Sequence, residues 1–484
     1  MTQKMDELTI ERTLIIEGEF VKDGGRGERP VFNPATGEVV GQIPMATAAD
    51  IDRAAEVAQL GFEQWRKRTA LDRANVLSKT AHAMRSEVAR LAGLLTLEQG
   101  KTLKEATAEV LSSADLLQWL AEEGKRIYGR VVPSRNVGIE QLVVMEPIGP
   151  VAAFSPWNYP IALATRKIGH ALAAGCSIVI KPAEESPGAV LALARIFLDS
   201  GVPPAALQVL FGNPAEISSK LIASRYIRKV SFTGSIAVGR HLGALAGKEL
   251  KKVTFELGGH APVIVMNDAD VDKFVEGAVF SKFRNAGQIC TSPTRFFVHD
   301  AVYDQAVYKF VQRSSKLSVG NGMDAGTDMG PLAISGRVDV MASLTEDAVA
   351  CGSKLLAGGP ARPTGPGYFW NPTVLSEVPA TARIMSEEPF GPLAPFARFD
   401  DLDEALDQAN SLGHGLAGYG FTSSLGYARR IQEGLRVGMV SLNTFTHTVP
   451  EMPFAGIRDS GLGAAMGIEG LLDHLNVKSI YRTD

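Results

Sequence analysis

The chain has 484 residues, of which 45% are hydrophobic and 21% are charged. At about 150 residues per domain, this length and composition predict a globular protein with roughly three domains. The 49 Lys and Arg residues nearly balance the 53 Asp and Glu residues, and the formal net charge is -4. With this small negative net charge, there is no electrostatic reason to expect binding to nucleic acid or to an anionic membrane surface.

The cysteines and the first residues of the chain indicate where the protein acts. Cys176, Cys290 and Cys351 are too few for a disulfide framework, which fits a reducing compartment. The first twenty residues lack the pattern of a signal peptide, and the longest apolar stretches are too short to span a bilayer. We therefore expect a cytoplasmic protein with no membrane partner.

The hydrophobic pattern of the first 147 residues predicts hairpins followed by helices. Residues 13–45 alternate apolar and polar positions around turn signals such as Asp23-Gly24, which indicates hairpin strands. Residues 48–127 have the periodicity of amphipathic helices. Residues 128–147 return to a strand pattern, which is clearest in the run QLVVMEP.

The remainder of the chain predicts two α/β blocks. From Gly149 to about Glu256, helical stretches separate the β-rich runs VAAFS, SIVIKP, LQVLFG, KVSFTG and KVTFEL. This βαβ rhythm is typical of a parallel sheet. The second block extends from about Ala261 to Asn443, with predicted strands PVIVM, RFFVH, AGYGFT and GMVSLN.

Cys290 is the candidate nucleophile, because it lies in the polar segment FRNAGQICTSPTRF with two arginines nearby. A nucleophilic thiolate needs partial exposure and positive surroundings, whereas an isolated cysteine is more often a small buried apolar residue. The residues alone leave both interpretations open for Cys290. For Cys176 and Cys351, which have ordinary contexts, we expect a structural role.

Two polar side chains are placed where a parallel sheet positions ligands. Glu256 ends the run KVTFEL and precedes two glycines, so it can face the cleft at the carboxyl ends of the strands. The alternative is a solvated carboxylate at a strand end. Asn158 in SPWNYP offers a neutral amide donor that an oxyanion hole can use. The eight histidines are scattered, so we predict no metal site.

Three further segments suggest a nucleotide site. SFTGSIAVGR is a strand, a Gly-Ser turn and a helix start, which is a suitable place for a pyrophosphate, although it lacks a GxGxxG pattern. In IVIKPAEES, Lys181 and Glu184 could hold ribose hydroxyls. EEPFGP also flanks a strand, but it can be read as an ordinary turn, and each segment alone is a weak signal.

Taken together, PWNYP, KPAE, FTGS, ELGG, GQIC and EEPFGP resemble the aldehyde dehydrogenase superfamily in order and spacing over nearly the whole chain. The resemblance implies an α/β fold with a Rossmann-like cofactor domain from 1–127 and 147–256, and an α/β catalytic domain from 257–443. It also implies a small β oligomerisation element from 128–146 and 444–484, and a homodimer or homotetramer.

The resemblance also implies roles for individual residues. Cys290 resembles the nucleophile, Glu256 the general base, Asn158 a donor of the oxyanion hole and Lys167 the active-site lysine. The residues that resemble cofactor contacts are Ser155, Trp157, Lys181, Glu184, Gly234, Ser235, Leu257, Glu388 and Phe390. We expect NAD to be preferred, because the Glu184 carboxylate would repel a 2′-phosphate, with NADP possible.

Within the superfamily the chain is most similar to dehydrogenases of succinate semialdehyde and α-ketoglutarate semialdehyde. Arg166 and Arg284 match their carboxylate-binding arginines, and His447 in the substrate loop is a further candidate contact. Ser292 occupies the place where many succinate semialdehyde enzymes have a second cysteine, so we expect no disulfide switch there.

Other functions remain open at this stage. Lactaldehyde and sulfolactaldehyde are also small and polar, and His447 does not match the composition of the semialdehyde enzymes. A CoA-acylating dehydrogenase would share the fold but usually lacks the base, so Glu256 argues against it. A non-catalytic binding protein on this fold would be expected to have lost Cys290, Asn158 or Glu256.

Overall fold

The helices of the N-terminal region begin where threonine side chains cap them. In this computed structural model, which describes residues 8, 10–22, 25–359, 365–446 and 448–483, Thr47, Thr69 and Thr102 each accept a hydrogen bond from the third residue of the helix that follows. An acidic side chain at that third position completes a capping box in all three cases. The predicted turn Asp23-Gly24 and the candidate residue His447 lie outside the described residues.

The predicted helical region 48–127 is confirmed and contains four α-helices, of which the second and third are separated by Glu87. The α-helices of the described chain are Ala48–Trp65, Ala70–Ser86, Val88–Gln99, Leu103–Glu123, Pro160–Ala174, Pro187–Asp199, Pro214–Ala223, Ile236–Lys248, Val271–Phe283, Asp300–Ser314, Gly336–Ala350, Leu402–Asn410, Leu425–Gly434 and Gly467–Leu472. Short 3₁₀ helices are Gly124–Arg126, Pro204–Ala206, Arg284–Gly287, Arg383–Met385 and Arg458–Ser460.

An eight-stranded sheet forms the first α/β block. Its strands, in spatial order, are Gly461–Leu462, Lys252–Leu257, Lys229–Gly234, Val151–Phe154, Ile178–Lys181, Leu207–Val209, Leu14–Ile16 and Glu19–Val21. The five central strands pair in parallel, as the βαβ rhythm predicted. They are almost entirely buried, which fits strands covered by helices on both faces.

The register of this sheet aligns the ends of four strands. Phe154 pairs with Lys181 and with Phe232, and Gly234 pairs with Leu257. The segments SPWNYP, KPAEES and FTGS and the residue Glu256 therefore emerge along one edge. This is the edge where open parallel sheets bind their ligands.

A seven-stranded sheet forms the second block. Its spatial order is Lys354–Ala357, Thr373–Ser376, Leu393–Phe399, Pro293–His299, Ala261–Val265, Ala417–Phe421 and Met439–Leu442, parallel except for the first strand. Its core is aromatic, and the rings of Phe296 and Phe396 stack with centroids 4.6 Å apart. The four strands that the sequence indicated in this block are confirmed, whereas the sequence analysis did not identify the first three.

A small sheet joins two distant parts of the chain. Ile139–Pro147 pairs antiparallel with Leu475–Thr483 along its whole length, and Arg130–Val131 forms the other edge. The separate hairpin Glu28–Phe32 with Val39–Pro44 lies near the N-terminus. Within the described residues no helix has the length and apolar character needed to cross a membrane.

Candidate active site

Two glycine contacts bring the ELGG, GQIC and EEPFGP segments together. A Cβ atom added to Gly259 would lie 2.6 Å from the carbonyl oxygen of Cys290. A Cβ atom added to Gly258 would lie 2.6 Å from Oε2 of Glu388. The first distance leaves no room for a side chain, so glycine at 259 allows the two backbones to approach, and the second shows that the Glu388 carboxylate lies against the backbone of Gly258. Motifs that are far apart in the sequence therefore meet at Cys290.

Cys290 follows a sharp turn between a helix and a buried strand. The helix Val271–Phe283 leads into a short 3₁₀ turn in which Asn285 and Ala286 both have a φ of 51°. This left-handed conformation is uncommon for residues other than glycine, and it redirects the chain just before Cys290. The strand Pro293–His299 then continues into the core of the second sheet.

The Cys290 thiol is protonated at neutral pH. Burial, followed by the negative charge of Glu256, raises the pKa of Cys290 to about 12, although the positive charge of Arg166 opposes this rise. Because the thiolate is the nucleophilic form, attack by Cys290 requires a base nearby. Glu256 is a carboxylate close enough to influence the thiol electrostatically.

Glu256 is buried and held from both sides. Its Oε1 accepts a 2.5 Å hydrogen bond from Nη1 of Arg166, and its Oε2 accepts one of 2.7 Å from the Thr233 hydroxyl. Nζ of Lys167 lies 4.0 Å from Oε2. Burial opposes ionisation, but the charges of Arg166 and Lys167 and the two hydrogen bonds together hold the pKa of Glu256 below its usual value. Glu256 is therefore ionised at neutral pH.

Asn158 presents its amide group toward the segment that carries Cys290. Nδ2 of Asn158 donates a 3.0 Å hydrogen bond to the carbonyl oxygen of Gln288. An amide nitrogen has two hydrogens, so one donor remains for another acceptor. Oδ1 of Asn158 is buried and has no partner among the described residues. Asn158 thus contacts the backbone two residues before Cys290, and its role in a shared site stays a prediction.

Lys167 lies behind Glu256. Its Nζ donates a 3.1 Å hydrogen bond to the hydroxyl of Ser231. Burial lowers the pKa of Lys167 to about 8, although the charge of Glu256 opposes this effect. Lys167 therefore belongs to the electrostatic surroundings of Glu256 and can change its charge close to neutral pH.

The two candidate substrate arginines have different surroundings. Arg284 lines a cavity of about 360 Å³ together with Lys273 and the aromatic rings of Phe280, Phe421 and Phe445. Arg166 is not among the described residues that line this cavity. Its guanidinium pairs with Glu256 and lies 4.5 Å from the ring centroid of Phe454. The structure does not bring the two arginines to one cavity, so their joint binding of a carboxylate stays a prediction.

The adenosine end of the predicted cofactor site contains a buried carboxylate between two cations. Glu184 lies 2.6 Å from Nζ of Lys181 and 3.7 Å from the guanidinium of Arg29. Its Oε1 also accepts a 3.0 Å hydrogen bond from the backbone N–H of Gly212. These contacts hold Glu184 at the carboxyl end of the strand Ile178–Lys181.

The predicted pyrophosphate seat is the start of the helix Ile236–Lys248. Ser235 caps this helix, and its hydroxyl accepts a hydrogen bond from the backbone N–H of Val238. Gly239 lies in the first turn, where a Cβ atom would lie 2.5 Å from the Leu257 side chain. The first turn of this helix directs unpaired backbone N–H groups toward the cleft edge, and an anion would be stabilised there.

The other end of the predicted cofactor site lies next to Cys290. The rings of Trp157 and Phe390 meet edge to face with centroids 5.5 Å apart. Oε1 of Glu388 accepts a 3.3 Å hydrogen bond from the backbone N–H of Gly259. Burial raises the pKa of Glu388 to about 8. Ser155 has a buried hydroxyl with no partner among the described residues.

These residues fit a nicotinamide dinucleotide. The edge offers a carboxylate for ribose hydroxyls at Glu184, a helix N-terminus for the pyrophosphate, and an unpartnered hydroxyl at Ser155. In the part of the chain that the structure describes, no group of three or more His, Cys, Asp or Glu residues is arranged to hold a metal ion.

The sequence analysis missed a group of buried polar residues around Asn158. Lys101, Glu109, Asn285 and Gln288 are all buried, and each makes hydrogen bonds within this group. No sequence signal could have identified Lys101, because a polar EQGKT segment after a helix is the pattern of an exposed helix end. Lys282, which is also fully buried, was missed for a similar reason.

Comparison with known proteins identifies the family of this chain. The profile of the aldehyde dehydrogenase family matches residues 20–480. A 4-(hydroxymethyl)benzenesulfonate dehydrogenase of Comamonas testosteroni is 47% identical over 97% of each chain. The NADP(+) succinate-semialdehyde dehydrogenase of Escherichia coli K12 is 42% identical over 98% of each chain. The crystal structure of succinate-semialdehyde dehydrogenase from Burkholderia pseudomallei superimposes with a TM-score of 0.96 at 42% identity, covering 98% of each chain.

The chain therefore belongs to the aldehyde dehydrogenase family. It has the aldehyde dehydrogenase fold, and it is an NAD(P)-dependent oxidoreductase that acts on small aldehydes. The fold class and the family expected from the sequence motifs are confirmed.

Proposed function

We propose that this enzyme oxidises a small aldehyde that carries an anionic group, and releases the product as a free acid. The observation that supports this proposal best is the ionised carboxylate of Glu256, whose charge acts on the Cys290 thiol, together with Asn158, which is bonded two residues before Cys290. Arg284 lines a cavity, where its guanidinium could bind the anionic group. Succinate semialdehyde and α-ketoglutarate semialdehyde are the substrates that we expect first.

In the first half of the reaction, Cys290 is the proposed nucleophile. Glu256 is proposed to take the thiol proton of Cys290 and to pass it to solvent. The sulfur then forms a bond to the aldehyde carbon, and the carbonyl oxygen becomes an oxyanion. The free Nδ2 hydrogen of Asn158 and the backbone N–H of Cys290 are the proposed donors to that oxygen. The bound nicotinamide cofactor supplies the acceptor for the hydride, after which the substrate is a thioester on Cys290.

In the second half, Glu256 is the proposed general base. It takes a proton from a water molecule, which attacks the thioester carbon and releases the acid and the Cys290 thiol. Its ionised state at neutral pH suits this role, since only the carboxylate form accepts a proton. Lys167 is proposed to stabilise that form from behind.

A second substrate class deserves an equal test. The cavity combines the rings of Phe280, Phe421 and Phe445 with an excess of one positive charge, because among the described lining residues the cations Arg284 and Lys273 are opposed by the single carboxylate of Glu276. An aromatic ring that carries an anionic group would match both features. A relative that is 47% identical is named for 4-(hydroxymethyl)benzenesulfonate, which has such a ring. The aldehyde to test is therefore 4-formylbenzenesulfonate.

For the cofactor, we propose a preference for NAD over NADP. The Glu184 carboxylate is buried at the position expected to bind the adenosine ribose hydroxyls, and a 2′-phosphate would be repelled there. Lys181 and Arg29 reduce that repulsion because both lie beside the carboxylate. NADP is therefore proposed to bind more weakly, without being excluded.

We also propose domain boundaries at 127, 147, 257 and 443, with the strand Gly461–Leu462 of the tail added to the sheet of the cofactor domain. The protein is proposed to be a cytoplasmic homodimer or homotetramer. An oligomerisation role for the small sheet is supported by Val477 and Tyr481, which are exposed and lie on the same face of the strand Leu475–Thr483. Exposed apolar side chains that cluster on one sheet are typical of an interface between subunits.

A kinetic panel tests the proposed function. Succinate, α-ketoglutarate and glutarate semialdehydes, lactaldehyde, 3-sulfolactaldehyde, 4-formylbenzenesulfonate and butanal are each assayed with NAD and with NADP. We expect the highest kcat/KM for an anionic substrate. A preference for butanal over every anionic aldehyde would contradict the proposal, and formation of an acyl-CoA when CoA is added would contradict release of the free acid.

A further inference from the structure

We propose that Lys101 is a positioning residue for the oxyanion site, acting through the backbone of Asn158. This inference rests on the proposed role of Asn158 as an oxyanion donor. Lys101 is 1% exposed, and its Nζ donates a 2.9 Å hydrogen bond to the backbone carbonyl oxygen of Asn158. Nζ also pairs with Oε2 of Glu109.

Three hydrogen bonds hold Asn158, two at its backbone carbonyl oxygen and one at its side chain. Lys101 and Nδ2 of Asn285 both donate to the Asn158 carbonyl oxygen, the second at 3.0 Å. The Asn158 side chain donates to Gln288, two residues before Cys290. These contacts fix the direction of the remaining Asn158 hydrogen relative to Cys290. Without them, the side chain could still rotate to other acceptors.

Glu109 extends the same arrangement to the next helix. Its Oε1 accepts hydrogen bonds from the backbone N–H groups of Ile161 and Ala162, at 2.9 and 3.0 Å. These are first-turn donors of the helix Pro160–Ala174, which carries Arg166 and Lys167. The Lys101–Glu109 pair therefore fixes the position of the Asn158 backbone and of the first turn of that helix.

The groups around the end of the Lys101 side chain suit an ammonium group, and they would not suit an apolar side chain. Its three N–H donors face the Glu109 carboxylate, the Asn158 carbonyl and the ring of Tyr159, whose centroid is 3.8 Å from Nζ. Burying a lysine is unfavourable, and well-packed apolar residues can often replace a buried ion pair without loss of stability. A role in positioning Asn158 for catalysis explains why the Lys101–Glu109 ion pair is buried here.

The test separates positioning from stability. Lys101→Met alone would leave the Glu109 carboxylate buried without its cation, so the main variant is Lys101→Met/Glu109→Gln, in which the amide oxygen can still accept from Ile161 and Ala162. The control is Lys229→Met, which removes another fully buried lysine whose partners are Thr254 and Asp473. For each variant we would measure Tm, the single-turnover rate of reduced cofactor formation, and the rate of Cys290 alkylation by iodoacetamide.

We expect the double variant to lower the single-turnover rate about 10- to 100-fold, less than the roughly 10²- to 10³-fold loss for Asn158→Ala. Alkylation of Cys290 should stay within about twofold, because displacement by a thiolate forms no oxyanion. Lys229→Met should lower Tm and leave the single-turnover rate nearly unchanged.

A double-mutant cycle gives the decisive result. Added to Asn158→Ala, the Lys101→Met/Glu109→Gln change should cause little further loss, because the donor that it positions is already absent. A fully additive loss, or an unchanged single-turnover rate in the double variant, would overturn the inference. If Asn158→Ala itself has no effect, the proposed role of Asn158 fails instead.

A second variant keeps the test valid if the double variant does not fold. Asn285→Gly removes the other donor to the Asn158 carbonyl, and glycine accepts the left-handed conformation at that position. It should lower the same single-turnover rate and leave cofactor affinity unchanged. A normal rate in Asn285→Gly would show that support of the Asn158 carbonyl is not needed.

Discussion

Nη1 of Arg166 donates a 2.5 Å hydrogen bond to Oε1 of Glu256, so the residue expected to bind substrate instead contacts the proposed base. Both side chains are buried, and Nε of Arg166 has no partner within the described part of the chain. The guanidinium therefore holds Glu256 through Nη1, while its Nε–H is buried without a partner among the described residues. Arg166 is thus a proposed substrate contact whose charge also acts on the proposed base.

The first prediction concerns the pH dependence of this base. Arg166 lowers the pKa of Glu256, so Arg166→Met should raise that pKa. Since the base acts only when ionised, the acid limb of the kcat profile for butanal should move to higher pH. Arg166→Lys keeps a positive charge, so the acid limb should move less in this variant than in Arg166→Met. Arg284→Met is the control, and its acid limb should stay at the wild-type pH. A limb that stays in place or moves to lower pH in Arg166→Met would refute the link.

The second prediction concerns the nucleophile. Cys290→Ser should abolish turnover while the cofactor still binds, because an unactivated hydroxyl is a far weaker nucleophile than a thiolate. Cys176→Ser and Cys351→Ser are matched controls, since one thiol is buried and the other exposed away from the proposed site. Both controls should remain active, and substantial activity in Cys290→Ser would disprove the assignment.

The same residue gives an independent measurement in the wild type. The pKa of Cys290 is raised to about 12, so in the enzyme without cofactor its alkylation rate should rise about tenfold per pH unit between pH 7 and 10, without a plateau. Glu256→Gln should increase the rate at pH 8, because it removes a negative charge that contributes to the raised pKa. An alkylation rate that reaches a plateau near neutral pH would show that Cys290 is already a thiolate there, and it would contradict this prediction.

The third prediction concerns cofactor choice. Glu184→Ser should bring the kcat/KM values for NAD and NADP closer together, since it removes the carboxylate that repels a 2′-phosphate. Glu404→Ser is the control, because Glu404 is an exposed carboxylate on the helix Leu402–Asn410 of the second block. It should leave the ratio nearly unchanged. A wild-type enzyme that prefers NADP severalfold would contradict the proposed role of Glu184.

The fourth prediction concerns Arg284 at the cavity. Charge-assisted hydrogen bonds contribute about 1.5–3 kcal/mol, so Arg284→Ala should lower kcat/KM for the preferred anionic aldehyde roughly 10- to 150-fold. The loss for butanal should be small, and Arg284→Lys should rescue only partly because lysine lacks the bidentate fork. An equal loss for butanal would mean that Arg284 has a structural role.

Much of the fold could be predicted from local sequence. KVTFEL corresponds to the strand Lys252–Leu257, and SIVIKP to Ile178–Lys181, because short β-rich runs between amphipathic helices rarely form anything else. Threonine followed by an acid three residues later correctly indicates helix starts, since capping is satisfied by neighbouring residues. The family motifs likewise depend on local patterns, and they identified the superfamily.

The contacts around the site could not be predicted in the same way. Arg166 and Glu256 are 90 residues apart, and Lys101 and Asn158 are 57 apart. The strand Gly461–Leu462 lies beside Glu256 in the first sheet, although the tail was expected to belong only to the oligomerisation element. Local pattern determined which segments are strands and helices. Only the tertiary packing decided which buried charges face each other. These residues are far apart in the sequence, and only folding brings their side chains within contact distance.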